Sequence, residues 1–394
     1  MNHIAARVRR AHLIGLICLF LIALSLSAAG APGDEYLVYV GTYTGKGSEG
    51  IYVYRFNAAT GDSHPVGLAA ETDNPSFLAV DTNGQFLYAV NEIDKYQNKP
   101  SGAVSVFAVD RETGKLGLLQ QVPSLGAGPA HVSLDRSGRF LMVANYGGGN
   151  VAVFPIDSDG RLGEHTAFVQ AHGSSVNPRR QAGPHAHSIQ VTPDNRLAIV
   201  ADLGIDKLLV YDFDGHTGAL KADSLKFRTM DAGAGPRHVA FTPSGKFVYV
   251  ANEMSSSVTA FAYVKAEGRL EKTQVLTTLP GGFAGTNTAA EIIVDSQGRF
   301  LYVSNRGDDS IVVFSIDPGN GDLTTVQRIP CGGKVPRNIA LDPTGRWLFS
   351  ANQRSDEITL FRVGPDDGRL TATSRSVHVV SPVCVTFAPR PWSR

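Results

Sequence analysis

The sequence predicts an all-β protein folded as a seven-bladed β-propeller, with four antiparallel strands in each blade. Three features support this prediction: an apolar strand, the strand that follows it, and a turn ending in glycine recur together seven times in the same order. Four-stranded units repeated at intervals of roughly 40 to 50 residues are typical of propeller blades. From residue 32 onward, no segment has the apolar spacing of an α-helix.

The most regular feature is a short apolar strand that ends in a small or polar residue, which we call the signature strand. Its seven copies span residues 36–41, 86–91, 140–145, 196–202, 247–252, 300–305 and 347–352. The steps between their last residues are 50, 54, 57, 50, 53 and 47 residues. One repeated unit therefore accounts for the chain from residue 36 onward.

Three further strands complete each blade. The strand after the signature strand is rich in β-branched residues, as expected in a packed sheet. Its copies span residues 51–56, 104–109, 151–156, 208–213, 258–263, 311–316 and 358–363. A weaker strand follows the glycine turn, where glycine supplies the positive φ that tight turns need. The strand before each signature strand begins near Ser76, Ala130, His187, Arg237, Ala290, Arg337 and Val383.

The phase of the repeat also predicts how the ring closes. The repeats begin with a signature strand at residues 36–41, which is the second strand of its blade. They end at residues 383–387 with the first strand of a blade. We therefore expect the N-terminal and C-terminal strands to pair within one blade, which would cover two otherwise exposed sheet edges.

The N-terminus has the three-part pattern of a secretory signal peptide. A basic stretch ends at Arg10, an apolar run covers about residues 13–26, and small residues follow. We expect residues 1–29 to be a signal peptide, cleaved after Ala29 or Ala31. Residues 32–394 would then form a single exported propeller domain, in the periplasm or outside the cell, without membrane contact. An uncleaved membrane anchor is the alternative, although the apolar run is short for a membrane span.

Charge and cysteine content narrow the expected partners. The formal net charge is zero, which gives no reason to expect nucleic acid as a partner. Cys18 lies inside the apolar run, which argues against a lipoprotein. In an exported protein Cys331 and Cys384 could form a disulfide, or they could remain two buried thiols. We expect a monomer with no cofactor and no metal.

Polar residues gather, by register, at one mouth of the central channel. The first strand of each blade lines the channel and starts at the face where the signature strand ends. Near these points lie His131, His187, Arg237, His238, Glu291, Arg337, Glu92, Asp202, Glu253 and Arg306. The longest repeat adds a basic, Gly/Pro-rich segment over residues 172–187, of the kind that forms functional loops.

Each of these signals has a structural alternative. The recurring Asn at strand ends could satisfy turn backbone groups instead of binding a ligand. The His185-x-His187 pair could bind a metal, but two ligands alone are weak evidence. A buried His could be a satisfied core residue, and the Arg and Glu residues could form salt bridges between blades.

Several motifs on this face are more specific than a general propeller repeat. They are Ser174-Ser-Val-Asn-Pro-Arg-Arg-Gln181 with Pro184-His-Ala-His187, Gly235-Pro-Arg-His238, Asn252-Glu253, Ser304-Asn-Arg-Gly307 and Ala351-Asn-Gln353. With these motifs the chain resembles the lactonase-type seven-bladed β-propellers, which include bacterial 6-phosphogluconolactonases and the fungal 3-carboxy-cis,cis-muconate lactonizing enzyme. The resemblance covers about residues 36–390.

The resemblance implies a catalytic group and a set of substrate contacts. The implied catalytic residues are His187, Arg237, Glu253 and Arg306, and the motifs leave His185 open as the alternative histidine. We expect substrate binding by His185, Arg180, Asn177, Gln181, His238, Glu291, Arg337 and Asn352. Arg180 and Arg337 would contact a phosphate.

The implied reaction is hydrolysis of a sugar lactone, free or phosphorylated. His187 or Glu253 would accept the proton of the attacking water, and Arg237 and Arg306 would stabilise the oxyanion or hold an anionic substrate group. No Gly-x-Ser-x-Gly nucleophile elbow is evident, so we expect direct water attack. The alternatives are a muconate-type lactonizing cycloisomerase, a calcium-dependent gluconolactonase, and an exported binding module without catalysis. Export would leave the natural lactone open, because a pentose-phosphate lactonase acts on a cytoplasmic intermediate.

Overall fold

Short apolar strands and glycine turns produce seven four-stranded antiparallel sheets in the computed structural model, which describes residues 34–389. The seven sheets are the predicted blades, so the expected fold class is confirmed. The predicted signal peptide, residues 1–29, and its cleavage points after Ala29 or Ala31 lie outside the described residues. So do residues 32–33 and 390–394 of the predicted propeller domain.

Each blade runs from an innermost strand at the channel to an outer strand at the rim. The innermost strands are β4 Phe77–Val80, β8 Pro129–Leu134, β12 Ala186–Val191, β16 Pro236–Phe241, β20 Thr288–Val294, β24 Pro336–Leu341 and β28 Pro382–Pro389. The signature strands are β1 Glu35–Thr42, β5 Phe86–Asn91, β9 Phe140–Asn145, β13 Leu197–Asp202, β17 Phe247–Asn252, β21 Phe300–Arg306 and β25 Trp347–Asn352.

Two further strands in each blade lie outside these. The third strands are β2 Gly50–Asn57, β6 Ala103–Val109, β10 Asn150–Pro155, β14 Lys207–Phe213, β18 Ser257–Val264, β22 Ser310–Ile316 and β26 Glu357–Val363. The outer strands are β3 Asp62–Glu71, β7 Leu116–Pro123, β11 Ala167–Gln170, β15 Leu220–Thr229, β19 Arg269–Thr277, β23 Leu323–Pro330 and β27 Leu370–His378. Blades are numbered 1 to 7 in chain order, starting with the blade of β1.

The ring closes through the two ends of the chain, as the phase of the repeat predicts. Blade 1 has the strand order β28-β1-β2-β3, and Tyr39 in β1 lies opposite Thr386 in β28. Consecutive innermost strands contact one another around the ring, including β28 with β4. The pairing of β1 with β28 covers the edge that each strand would otherwise expose.

Small differences from the predicted strand bounds have local causes. Strand β10 ends at Pro155, one residue earlier than predicted, and Ile156 makes only an isolated bridge with Leu162. Proline has no N–H to donate to a strand ladder, which explains the early end. Strand β21 continues to Arg306, because Arg306 pairs with Thr288 of the neighbouring innermost strand.

Aromatic residues in the signature strands join neighbouring blades and explain the glycine turns. Buried Tyr249 of blade 5 donates its hydroxyl hydrogen to the carbonyl of Gly321 in the turn of blade 6, at 2.9 Å. Gly321 has φ of +77°, and a Cβ added there would lie 2.3 Å from the ring of Phe247. Equivalent hydroxyl bonds run from Tyr39 to Gly114, Tyr88 to Gly160 and Tyr302 to Gly368. The aromatic and glycine positions of the repeat are therefore explained by contacts between neighbouring blades.

The two cysteines in the described residues are buried and free. Burial raises the pKa of the Cys331 thiol to about 11 and that of Cys384 to about 12, so both stay protonated at neutral pH. Of the two alternatives considered from the sequence, the structure has two buried thiols. The one helical segment in residues 34–389 is a 3₁₀ turn, Leu203–Ile205, and no helix in that range could cross a membrane.

Candidate active site

Three blades bring charged residues together around Glu253, at the mouth where innermost strands begin and signature strands end. Glu253 directly follows β17, Arg237 is the second residue of β16, and Arg306 is the last residue of β21. Arg180 comes from the extra segment before β12. The register of the repeat therefore places residues from blades 5 and 6 side by side, and an insertion adds a residue from blade 4.

Glu253 is the centre of an ion-pair network with these three arginines. Its Oε1 lies 2.7 Å from Nη2 of Arg180, and its Oε2 lies 2.7 Å from Nη2 of Arg306. Nε of Arg237 lies 3.2 Å from the same Oε2, an ion-pair contact without hydrogen-bond alignment. The Glu253 side chain is only 6% exposed. Burial alone would raise its pKa, but Arg306 and Arg237 in particular lower the pKa of Glu253 to about 2.

Backbone carbonyls fix the two buried arginines from behind. Nη1 of Arg237 donates to the carbonyl of Ala290 at 2.8 Å, and Nη2 of Arg306 donates to the carbonyl of Ala289 at 3.2 Å. Burial lowers the pKa of Arg237, as do the like charges of Arg306 and Arg337. A guanidinium nevertheless keeps its charge in proteins. The arrangement thus offers fixed cationic donors in a site that excludes much of the solvent.

His187 lies beside this network as a buried imidazole with an unused nitrogen. It is 5% exposed, and its Nδ1 has no hydrogen-bond partner within the described residues. Its ring packs edge-on against Tyr146 and His238, with centroid distances of 5.4 and 5.1 Å. Burial, with the nearby charge of Arg237, holds the pKa of His187 well below its usual 6.5. The imidazole is therefore neutral at neutral pH, and the same burial and nearby charge make it a weaker base than an exposed histidine.

His185 has a different environment, although it is only two residues away. Its ring stacks on Tyr146 at a centroid distance of 4.5 Å, and its Nδ1 lies 2.9 Å from the carbonyl oxygen of Tyr146. Its backbone N–H donates to Oδ1 of Asp202 at 2.8 Å. These contacts fix the ring. If Nδ1 carries the proton that the carbonyl accepts, Nε2 is left as a proton acceptor, so His185 and His187 both stay candidates for the base.

His238 and Glu291 lie beneath the arginines and not on the open surface of the funnel. His238 is 2% exposed, with Nδ1 2.8 Å from Oε1 of Glu291 and Nε2 3.4 Å from Nη1 of Arg237. Asn338 donates to the other Glu291 oxygen at 2.7 Å. If Nδ1 carries the proton that Glu291 accepts, Nε2 is left to accept from Arg237. These residues thus support Arg237 from below.

The central channel continues below this polar layer. A cavity of about 540 Å³ begins at His131, Glu291, Asn338 and Cys384 and extends along mainly apolar residues of the innermost strands. His187, Arg237, Glu253 and Arg306 do not line it. The charged network therefore faces the upper mouth, and the polar layer separates it from the rest of the channel.

Arg337 lies in a second polar group on the same face. Its Nη2 donates to the hydroxyl of Tyr43 at 2.6 Å, and that hydroxyl donates to Oε2 of Glu92 at 2.8 Å. Glu92 was among the polar residues predicted at this mouth, but neither it nor Tyr43 nor Tyr146 was assigned a role in catalysis or substrate binding. Glu92 and Tyr146 follow signature strands as Glu253 does, so this position in the repeat was the available signal. Tyr43 lies just past β1 and has no such signal.

Three residues expected to bind substrate are not bonded to the Glu253 network or to the Arg337 group. The side-chain oxygen of Asn177 accepts the backbone N–H of Arg180 at 3.1 Å. Gln181 is fully buried and donates to the carbonyl of Leu203 at 2.9 Å. Asn352, also fully buried, donates to the hydroxyl of Thr359 at 3.1 Å. Each of the three uses a side-chain polar atom within the loop or the blade, and none is bonded to the Glu253 network.

No group of three or more His, Cys, Asp or Glu side chains among residues 34–389 is arranged to hold a metal ion. The His185-x-His187 pair considered from the sequence therefore has no third ligand of these types in the described part of the chain.

Comparison with known proteins gives consistent matches over nearly the whole described chain. The sequence profile described as "Lactonase, 7-bladed beta-propeller" matches residues 37–387. A 6-phosphogluconolactonase of Bacillus subtilis is 36% identical over 304 residues, which cover 77% of this chain and 84% of that protein. A 6-phosphogluconolactonase of Formosa agariphila is 33% identical over 309 residues, covering 76% and 85%. A solved periplasmic gluconolactonase of Pseudomonas aeruginosa is 37% identical, with a TM-score of 0.84 and coverage of 91% and 100%.

Proposed function

Because the chain belongs to the seven-bladed β-propeller lactonase family, we propose that it hydrolyses the ring ester of a sugar lactone at the Glu253 mouth of the channel. The observation that supports this most directly is the pair of fixed guanidinium groups, Arg237 and Arg306, on Glu253, with the neutral imidazole of His187 near enough for the charge of Arg237 to lower its pKa. The names of the relatives, 6-phosphogluconolactonase and periplasmic gluconolactonase, favour hydrolysis over a cycloisomerase or a binding module.

The proposed reaction assigns different work to each group. Water attacks the lactone carbonyl, and His187 accepts a proton from it. Arg237 and Arg306 stabilise the negative charge that develops on the carbonyl oxygen. The tetrahedral intermediate then collapses, the ring C–O bond breaks, and the ring oxygen takes the proton back from His187 to become a hydroxyl. The carboxylic acid that forms releases its proton to solvent, so the products are a carboxylate, an alcohol group and one proton.

Glu253 acts in this proposal as the anchor of the arginines. A carboxylate with a pKa of about 2 is too weak a base to take a proton from water efficiently. It is well suited to hold three guanidinium groups at fixed distances. This refines the expectation from the sequence, in which His187 and Glu253 were equal candidates for the base.

The charge of the mouth supports an anionic lactone as a good substrate. Four arginines, Arg180, Arg237, Arg306 and Arg337, lie near three carboxylates, Glu92, Glu253 and Glu291. The remaining positive charge would attract a phosphate or carboxylate group on the sugar. Arg180 and Arg337 are the proposed phosphate contacts, since they lie at the edge of the group. We expect a phosphorylated gluconolactone to have a lower KM than the free lactone.

Export is part of the proposal. The N-terminal pattern of residues 1–29 predicts a signal peptide, and one relative is described as periplasmic. We propose that the mature protein is an exported monomer without a cofactor. N-terminal sequencing of the protein from a periplasmic fraction should begin at Gly30 or Pro32; retention of Met1 in a membrane fraction would instead indicate an uncleaved anchor.

A lactone panel tests the proposed activity. Purified protein is added to glucono-δ-lactone and to its 6-phosphate, and base uptake is followed at constant pH against the spontaneous rate. The proposal expects uptake well above that rate, and equal rates with and without a chelator. Loss of activity on chelation would favour a calcium-dependent enzyme. Loss of the ultraviolet absorbance of 3-carboxy-cis,cis-muconate, without lactone hydrolysis, would favour the cycloisomerase. Ligand binding without any turnover would leave a binding module.

A further inference from the structure

Asp206 is a buried carboxylate near the site that the proposed mechanism does not use. It is 2% exposed, follows the 3₁₀ turn Leu203–Ile205, and has a left-handed φ of 51°. Its Oδ1 accepts the N–H of Gly235 at 2.7 Å, and its Oδ2 accepts the N–H of Gly233 at 2.7 Å. The hydroxyl of Ser175 donates to the same Oδ2 at 2.5 Å. One carboxylate thus collects three donors from two separate segments.

The first of these segments determines the positions of Glu253 and Arg237. The carbonyl of Gly235 accepts the backbone N–H of Glu253 at 2.7 Å, and Arg237 is two residues further along β16. Gly235 has a φ of +63°, and a Cβ there would lie 2.8 Å from Met254. The turn before β16 is therefore tightly constrained, and Asp206 holds its N–H groups.

The second segment carries Arg180. Ser175 belongs to the extra segment before β12, residues 172–185, which we call the inserted loop. The same loop places Nη2 of Arg180 2.7 Å from Glu253. Both sides of the Arg180–Glu253–Arg237 network are thus attached to Asp206, by bonds to a charged acceptor that are stronger than neutral ones. Loss of the carboxylate would leave the N–H groups of Gly233 and Gly235 without this acceptor and detach the loop at Ser175.

Aspartates at the equivalent position of other repeats show which of the Asp206 contacts are shared and which are particular to this blade. Asp309 accepts the N–H of Val335, which precedes Pro336 and Arg337, at 2.8 Å. Asp356 accepts the N–H of Ser381, which precedes Pro382, at 2.8 Å. Holding the turn before an innermost strand is therefore a feature of several blades. The additional bond to an inserted loop is found at Asp206.

We propose that Asp206 is a positioning residue that couples the inserted loop to the Arg237–Glu253 pair. No side-chain bond joins it to the proposed reacting groups, and it acts through Gly235 and Ser175. This inference depends on the proposed lactonase function for its kinetic consequence, but the coupling itself is structural and can be measured separately. An error of about 1 Å in the position of such groups costs on the order of 10²-fold in rate.

The test compares Asp206→Ala with a matched control, Asp342→Ala. Asp342 is also 2% exposed and accepts the N–H of Thr344 at 3.0 Å, the N–H of Trp347 at 2.7 Å, and the Thr344 hydroxyl. It lies in the turn between β24 and β25, at the opposite face of the ring from the site. Both variants should lose thermal stability. Only D206A should lose kcat/KM for gluconolactone, by about 10²-fold, while D342A stays within about twofold.

A second measurement does not depend on turnover. Arg179 is exposed in the inserted loop, so trypsin can report the attachment of this loop. Under native conditions, cleavage after Arg179 or Arg180 should be about tenfold faster in D206A than in the wild type, and unchanged in D342A; mass spectrometry of the fragments identifies the site.

Two milder variants keep the inference testable if D206A does not fold. Ser175→Ala removes only the loop bond, so it should speed tryptic cleavage and raise KM with kcat within about twofold. Asp206→Asn keeps one acceptor and should fall between the wild type and D206A. Equal losses of kcat/KM in D206A and D342A, or unchanged loop cleavage in S175A and D206N, would overturn the inference. A wild-type protein without lactone turnover would overturn the proposed function, while loop cleavage would still decide the coupling.

Discussion

Oε2 of Glu253 lies 2.7 Å from Nη2 of Arg306, although the two residues belong to different blades. Each occupies the same region of its repeat, at the end of a signature strand. The ion pair therefore exists only because blades 5 and 6 pack in the correct relative position. The chemistry of the mouth depends on contacts between blades as much as on the residues themselves.

Replacing Glu253 by Gln should separate its anchoring role from that of a base. The amide keeps the shape but cannot neutralise Arg180, Arg237 and Arg306, so their guanidinium groups should move apart. We expect kcat/KM for a sugar lactone to fall by about 10² to 10³-fold. The acid limb of the pH–rate profile should stay where it is in the wild type. A profile in which that limb disappears would indicate that Glu253 is the base.

The low pKa of Glu253 also predicts an acid-dependent loss of stability. Its pKa of about 2 in the folded state lies below the ordinary value of 4.5, so ionisation favours folding. This stabilisation is complete above pH 4.5 and is lost as the pH falls from 4.5 toward 2. Thermal unfolding at several pH values should show a steeper decline in Tm for the wild type than for E253Q over this window. Parallel curves would contradict the prediction.

Arg237→Ala should remove most of the activity without unfolding the ring. The variant loses a fixed guanidinium group of the proposed oxyanion site, and removal of one such donor typically costs about 10² to 10³-fold in kcat. Arg299→Ala is a suitable control, because Arg299 lies in the turn between β20 and β21 at the opposite face. That control should keep kcat within about twofold. Near-normal lactone turnover by R237A would refute the role proposed for this arginine.

His187 and His185 can be distinguished by parallel replacement with Asn. His187→Asn removes the proposed proton acceptor and should lower kcat by about 10² to 10⁴-fold. His185→Asn changes a ring that stacks on Tyr146, and we expect less than about a tenfold loss. Because burial lowers the pKa of His187, the acid limb of kcat/KM should lie below about pH 6.5. A larger loss in the His185 variant would reverse the assignment.

The glycine turns that pack against a neighbouring blade should be sensitive to the addition of a single methyl group. At Gly321 a Cβ would lie 2.3 Å from the ring of Phe247, so Gly321→Ala should lower the free energy of unfolding by about 1 to 3 kcal/mol or more. Gly345 has a similar φ of +70° but no atom within 4 Å of the added Cβ. Gly345→Ala therefore measures the backbone cost alone, about 1 kcal/mol. Equal losses in denaturant unfolding would show that packing against Phe247 is unimportant.

The fold was predictable because its information is repeated. A single signature strand, such as residues 86–91, would be ambiguous, but seven in one phase define the blades, the channel and the closing pair. The same register places Arg237, Glu253 and Arg306 at one mouth, since each has a fixed position within its repeat.

What the register could not predict concerns side chains whose environment is not periodic. Asn352 occupies a strand end at the correct face, but the fully buried amide bonds within its own blade. Gln181 lies in a motif of the resemblance, yet its amide supports the loop backbone. Tyr43 reaches Arg337 because the ring is circular, which brings together residues far apart in the sequence. A sequence pattern gives a residue's position along a strand, whereas these contacts depend on packing between distant segments.

The closing pair of β1 and β28 makes the first blade the last to be completed. Tyr39 pairs with Thr386, so the chain must be synthesised through β28 before blade 1 has its fourth strand. A fragment that stops before Pro382 leaves the inner edge of β1 without a partner and removes one of the seven channel-lining strands. Such a fragment would expose a ready template for joining to another chain. Only a chain that includes β28 can therefore close the ring. Shorter products should aggregate or be degraded instead of persisting as smaller propellers.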